Sequence, residues 1–295
     1  MTGTGPQGPG RYGERVFRPE AGGEGDRIDL GSLTYDATTM SRLRRLGVGP
    51  GWTCLDLGAG TGTVARGLLE EAGVAEVVAV DRDVRFLAAH PVPGLTPLQA
   101  DITADGFSPE LFPDLSPGLS PALSPGRFRL VHARFLLMHL PDRPRLVARF
   151  AELLAPGGVL VISDAVDLTT DSAPLTPYTA AMRAMWRGLR DSIGTDVSQV
   201  VHHPELLEAA GLESVAAEIH VPPLLPGSAI SRFWADTWDR ARADMLATGL
   251  LDEDGLDEAL RLLESPGYAG LSPGMLTAWG WKPGAPGAPG APGAP

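Results

Sequence analysis

The amino-acid sequence predicts an α/β fold, a doubly wound, mostly parallel, seven-stranded sheet with helical insertions. Two observations carry this prediction. From residue 53 to residue 163, short β-rich runs alternate with longer segments of helical periodicity, the pattern of a parallel sheet covered on both faces. The first run ends in Gly58-Ala59-Gly60-Thr61-Gly62 directly before a helical segment, which marks a strand-to-helix turn.

The elements follow in order. Thr53–Leu57 reads as the first strand, with the helix Thr63–Glu71 after the glycine turn. Glu76–Val80 is the second strand, followed by a helix through Val84–Ala89. Thr96–Ala100, Phe128–His132 and Gly158–Ser163 are the next three, with a helix Pro144–Leu154 stopped by Pro156-Gly157-Gly158. Beyond them, Leu212–Val221 and Met275–Trp281 are β-rich and complete the seven. Helical stretches near 170–200 and 228–265 carry Met182, Met185, Trp186, Phe233, Trp234, Trp238 and Met245 at helical spacing and read as a lid. Most such residues form the core of a lid; apolar side chains also line small-molecule pockets. Leu115–Gly126 repeats proline every four residues, which excludes a helix or central strand and leaves a surface loop. Residues 1–27 read as a flexible N-terminal segment, 28–282 as the domain, and 283–295 as a disordered Gly-Ala-Pro tail.

Composition bounds the function. A formal charge of -12 opposes the positive field that nucleic-acid binding requires. One cysteine, Cys54, excludes an internal disulfide and fits a reducing compartment, so the expected location is the cytoplasm. No run approaches the roughly 18 to 20 apolar residues of a membrane helix, so no membrane partner is expected.

Glycines where a strand meets a helix let backbone N–H groups approach a ligand at the helix N-terminus. The spacing differs from the Gly-x-Gly-x-x-Gly of dinucleotide sites: counting from Gly58 and Gly60, Thr63 stands at the third glycine position. Asp56, just before the turn, would repel a pyrophosphate and suits a ligand bearing an ammonium or sulfonium.

With Asp56-Leu57-Gly58-Ala59-Gly60-Thr61-Gly62, Val77-Val-Ala-Val-Asp81, Gln99-Ala-Asp-Ile102, Val131–Asp142 and Leu153–Asp164 in order, the sequence resembles the class I S-adenosylmethionine-dependent methyltransferases over roughly 28 to 283. The resemblance implies a Rossmann-like methyltransferase fold with S-adenosyl-L-methionine as cofactor. It places Asp56, Gly58, Ala59, Gly60 and Gly62 at the cofactor turn, Asp81 on the ribose hydroxyls, Asp101 on the adenine amino group and Ile102 against its ring, with Arg82 along the adenine face or in solvent. It puts His132 and Ala133 at the end of the fourth strand, where the family's backbone carbonyls face the methionine amino group. Bland uses stand beside these: Asp81 as a helix cap, although Asp83 serves that use as well, Asp101 as a turn residue, and His132 as a packed histidine.

His139 and Asp164 are the candidates for a general base; an unperturbed imidazole titrates near neutrality, which suits the role of His139, but histidine is frequent at this place in relatives with different acceptors. Asp164 and Asp167 follow the fifth strand, where open α/β sheets bind ligands, and either orient an acceptor or cap the next segment. His202-His203 invites a metal, but adjacent side chains diverge at a helix start and no third ligand cluster is evident, so no metal is expected. The expected function is in-line methyl transfer to a small organic acceptor. The alternatives are a nicotinamide-dependent oxidoreductase, opposed by Asp56 and Thr63, and a noncatalytic cofactor-binding scaffold.

Overall fold

A computed structural model describes residues 10–104, 126–168 and 170–284. The chain divides into two compact units. One comprises Tyr35–Asp164, Val201–Ile219 and Leu276–Pro295, the other Met1–Thr34, Ala165–Val200 and His220–Met275. The expected Ser-Pro loop lies outside the described residues apart from its last residue, as do residues 1–9 and the tail from residue 285.

The first unit is built on a seven-stranded sheet of order β3-β2-β1-β4-β5-β9-β6. Its strands are β1 (Thr53–Leu57), β2 (Glu76–Asp81), β3 (Leu95–Gln99), β4 (Phe128–Arg134), β5 (Leu154–Val166), β6 (Glu213–His220) and β9 (Gly274–Trp281). The pairs β1/β2, β1/β4, β2/β3 and β4/β5 are parallel. Apolar runs such as Val77-Val78-Ala79-Val80 are wholly buried, as strands covered on both faces must be. On one face, Cys54, Val77, Leu130, Val159, Val161 and Trp279 pack against Met40 and Leu43 of α1 (Glu24–Arg45) and Val64 and Leu68 of α2 (Thr63–Glu70). The strand order reverses between β1 and β4, and a crevice outside the carboxyl ends of strands at such a point is where open α/β sheets take ligands. Helices α3 (Arg85–Ala89), α4 (Arg143–Leu153) and α6 (His203–Ala209) complete this unit.

The fifth strand corrects the sequence reading. It starts at Leu154, four residues before the expected Gly158, because Pro156-Gly157-Gly158 forms an irregularity inside the strand: Phe128 pairs with Leu154 but Leu130 already pairs with Val159. A proline is tolerated there because a bulge needs no ladder donor. A Cβ on Gly158 would lie 2.9 Å from both the Ala155 and Phe128 carbonyl oxygens, groups that cannot rotate away. A Gly158→Ala substitution is therefore expected to cost about 2 kcal/mol, within the range for overpacking. Urea denaturation checks this, and a midpoint shift near zero would contradict the bulge.

The second unit holds α5 (Pro177–Ile193), α7 (Ala229–Ala247), α8 (Glu253–Glu264) and a short antiparallel pair, β7 (Pro223–Leu224) with β8 (Gly270–Leu271). Each helix start is capped by a side chain: Thr176 accepts from the Thr179 N–H, Ser228 from Ser231, and Asp252 from Gly255. Met182, Met185, Trp238 and Met245 form its core. Trp186 packs edge-on against Trp234 and donates its indole N–H to Asp167 at 2.8 Å. Of the expected N-terminal segment 1–27, residues 10–27 are described and four of them are buried. Val16, Phe17, Glu24 and Arg27 are buried, and Arg27 donates to Glu24, to the Tyr12 hydroxyl and to Thr237, with Phe17 against its guanidinium at 4.2 Å. A buried cation persists only with such partners, and here they fasten the segment.

Candidate functional site

The glycine turn is held from both sides. Gly58 and Ala59 donate their N–H groups to the Val80 carbonyl at 2.8 and 3.1 Å, which ties the turn to the end of β2. Gly58 and Gly62 have φ of 66° and 80°, a region costly for any side chain. Their missing side chains are also required sterically: a Cβ on Gly58 would fall 2.9 Å from Leu136 Cδ1, and one on Gly62 only 2.4 Å from Leu87 Cδ2. The bare backbone of the turn thus opens directly onto the start of α2.

The Asp81 carboxylate braces this turn. One oxygen accepts the Gly60 N–H at 2.9 Å and the other the Asp83 N–H at 3.1 Å. Burial pushes the Asp81 carboxyl above the usual carboxylate range, against the lowering effect of these N–H donors. Asp83 accepts from the Arg85 N–H at 3.0 Å, and α3 starts after Val84 with no side-chain cap from either aspartate. Asp101 follows β3 beside it, since Ala100 donates to the Asp81 carbonyl at 2.9 Å. Its Oδ1 accepts from the Thr103 N–H and hydroxyl, the turn-residue use, while Ile102 is buried. The Arg82 side chain is exposed and its carbonyl accepts from Gln99.

Asp56 and His132 lie opposite each other in the β1/β4 register, and their side chains meet at 2.8 Å, both buried. Ala133, next on β4, is buried as well. Phe135 follows in a left-handed conformation, φ 52°, with its N–H donated to the Ser163 carbonyl at 2.7 Å. His139 closes a 3-10 turn, Leu137–His139, and is half-buried. Asp164 departs from the expectation of a residue facing an open crevice: it is fully buried, one oxygen accepting the Leu136 N–H at 2.8 Å and the other 2.7 Å from His203 Nε2. The structure therefore gathers Asp56, His132, the glycine turn and Asp81 around the carboxyl ends of β1, β2 and β4, and sets Asp164 into a separate buried pair.

Arg134, Arg66 and Thr61 were not anticipated as site candidates. Arg134 donates to Asp36 at 2.7 Å and to Thr39 at 3.1 Å, joining β4 to α1; the i, i+3 spacing of those two acceptors on one helix face was the available signal. Arg66 donates one Nη to the Thr61 carbonyl at 2.7 Å, while its other Nη and the Thr61 hydroxyl are buried without a protein partner, as is His132 Nε2. Among the described residues, no group of three or more His, Cys, Asp or Glu is placed to hold a metal ion, and no helix is long and apolar enough to cross a membrane.

A parallel sheet reversing at β1, with a glycine turn braced by an acid from the neighbouring strand, defines a Rossmann-like domain of the methyltransferase type. The chain belongs to the methyltransferase-domain family, the class I S-adenosylmethionine-dependent methyltransferases, whose profile matches residues 32–217. It is 31% identical over 183 residues to trans-aconitate 2-methyltransferase of Deinococcus radiodurans, a match covering 59% of this chain and 64% of that protein. It is 29% identical over 211 residues to phosphoethanolamine N-methyltransferase 3 of Arabidopsis thaliana, covering 70% of this chain and 36% of that one. The chain thus spans less than two thirds of the length of these relatives. Among solved structures, phosphoethanolamine N-methyltransferase 2 of Haemonchus contortus, in complex with phosphomonomethylethanolamine and S-adenosylhomocysteine, shares the fold with a TM-score of 0.54 at 16% identity, over 91% of this chain and 60% of that one.

The residues present fit the family's cofactor. The Asp81 carboxylate, anchored by two N–H groups, keeps lone pairs for further donors, and the Thr61 hydroxyl and His132 Nε2 are buried without a protein partner.

Proposed function

We propose that this protein transfers the methyl group of S-adenosylmethionine to a small organic acceptor. The observation that carries the reading is the glycine turn joined to Asp81, a geometry in which bare backbone and an anchored carboxylate stand side by side at the strand-order reversal. When bound, the cofactor supplies a methyl group already activated by a sulfonium. In this reading Asp81 accepts the ribose hydroxyls, Asp101 and Ile102 bound the adenine, and the turn 58–62 carries the methionine end, with Asp56 favouring its positive charges.

Catalysis then rests on holding the acceptor in line, which supplies most of the rate without a strict triad. Asp164 has both oxygens engaged, so it is dropped as a base, and His139 remains the residue for an acceptor that must lose a proton. The helical stretches near 170–200 and 228–265, which carry Trp and Met, are read as a lid that excludes water. The curated relatives act on small acids and amines by their names, which agrees with a small acceptor. The charge of -12 speaks against nucleic acid as acceptor, and the single buried thiol agrees with a cytoplasmic location.

Calorimetric titration with S-adenosylhomocysteine is the test. Micromolar binding is expected, with a thermal shift equivalent to about 2.7 kcal/mol at one hundred times Kd. A folded sample that binds none at saturating ligand refutes the proposal. Binding without methyl transfer to any acid, amine, phenol or thiol offered would favour a noncatalytic scaffold.

A further inference from the structure

We propose that His203 is a positioning residue for the cofactor turn, acting through Asp164 and Leu136. It stands at the start of α6, 39 residues beyond Asp164 in sequence, and nothing in the methyl-transfer chemistry calls for it. Its neighbour His202 points outward to Glu205 at 3.1 Å, whereas His203 is completely buried and meets Asp164 at 2.7 Å. The adjacent histidines therefore diverge, and only the second reaches the sheet.

The consequence runs along a chain of contacts. A fully buried carboxylate persists only where donors compensate it. For Asp164 these are His203 Nε2 and the Leu136 N–H. Just before Leu136, Phe135 holds a left-handed φ of 52°, costly for a bulky residue unless its surroundings fix it. The Phe135 N–H to the Ser163 carbonyl and the Leu136 N–H to Asp164 supply that fixation from consecutive residues of β5. The Leu136 side chain then fills the space beside Gly58 where a Cβ would sit, which sets the inner wall of the glycine turn. His203 holds Asp164 in place, Asp164 holds the Leu136 backbone, and Leu136 shapes the turn.

The experiment compares wild type, His203→Ala and His203→Gln in the full chain, with Val159→Ala as a destabilised control in the core of β5. Gln retains an N–H donor near the position of Nε2. Two readouts are taken: amide hydrogen exchange at Phe135 and Leu136 without ligand, and S-adenosylhomocysteine affinity at a temperature where all variants are folded. His203→Ala is expected to accelerate exchange at both amides beyond what its global destabilisation gives, and to weaken the ligand by about tenfold, less than the roughly hundredfold loss seen when reacting groups are displaced by an ångström. His203→Gln should restore both to near wild type, and Val159→Ala should move neither beyond its effect on overall stability.

Exchange at these two amides that tracks global stability in every variant overturns the proposal, as does failure of Gln to rescue in a folded protein. The affinity arm rests on the methyltransferase reading. If wild type binds no S-adenosylhomocysteine, that reading fails, and the exchange arm alone decides whether His203 positions the turn.

Discussion

An Asp81→Ala variant is expected to lose S-adenosylhomocysteine affinity by about a hundredfold or more while remaining folded. The carboxylate is proposed to accept two ribose hydroxyls, and hydrogen bonds to a charged group contribute about 1.5–3 kcal/mol each, so the pair amounts to about 3 kcal/mol at the least. The substitution also deprives the Gly60 and Asp83 N–H groups of their acceptor, loosening the turn that the ligand needs. Asp81→Asn keeps one acceptor oxygen and should fall between. Calorimetry separates the three proteins, and equal affinities would remove Asp81 from the site.

The pH dependence carries a second, independent sign. Burial holds the Asp81 carboxyl above the usual range. Since the acceptor role needs the anion, affinity should decline as the pH falls, beginning at a higher pH than for an exposed aspartate. Asp81's own contribution to folding runs the other way: with the folded pKa raised, it is present below the unfolded pKa and lost as pH rises through the folded value. An affinity that is flat across the acid range would contradict the assignment.

A Gly62→Val variant is expected to destabilise the protein by about 3–5 kcal/mol. A β-branched residue at a φ of 80° costs about 1–3 kcal/mol, and forcing its side chain against Leu87 adds about 1–3 more. Leu87 is fully buried, so it has little room to yield. At roughly 2–4 °C per kcal/mol for a chain of this size, thermal denaturation should show a drop of roughly 10 °C. Gly62→Ala shares the backbone strain but adds less volume and should lie between. A loss under about 1 kcal/mol for valine, small beside either contribution, would mean that the turn can adopt another conformation.

Much of the sheet was legible because strands buried on both faces leave continuous apolar runs, and Val77–Val80 or Leu160–Ile162 have no other use at that length. The strand-end positions of Asp56 and Asp81 and the turn between β1 and α2 followed from the same runs. What failed to show was tertiary. Pro156-Gly157-Gly158 carries the same residues whether it stops an element or bulges one, and only the partner Phe128–Leu130 distinguishes the two. Helix α1 was missed because part of its buried face is polar, with Glu24, Arg27, Ser32 and Thr39 satisfied by hydrogen bonds that periodicity does not register. Strands of two residues such as β7 and β8 leave no pattern at all. The pairs His132 with Asp56 and His203 with Asp164 join residues 76 and 39 apart, and strand register or helix placement alone brings them together.

Cys54 is the second residue of β1, flanked by β2 and β4, with no exposed surface, and burial followed by the nearby charge of Asp56 pushes its thiol well above the ordinary range. Thiolate is the reactive form, so alkylating reagents meet an inert group for as long as the strand stays in place. Because the sequence holds no other cysteine, every modification event dates an opening of the sheet's centre. The chain thus carries a built-in clock: its labelling rate follows the opening equilibrium when reclosing is fast and the unfolding rate when it is slow.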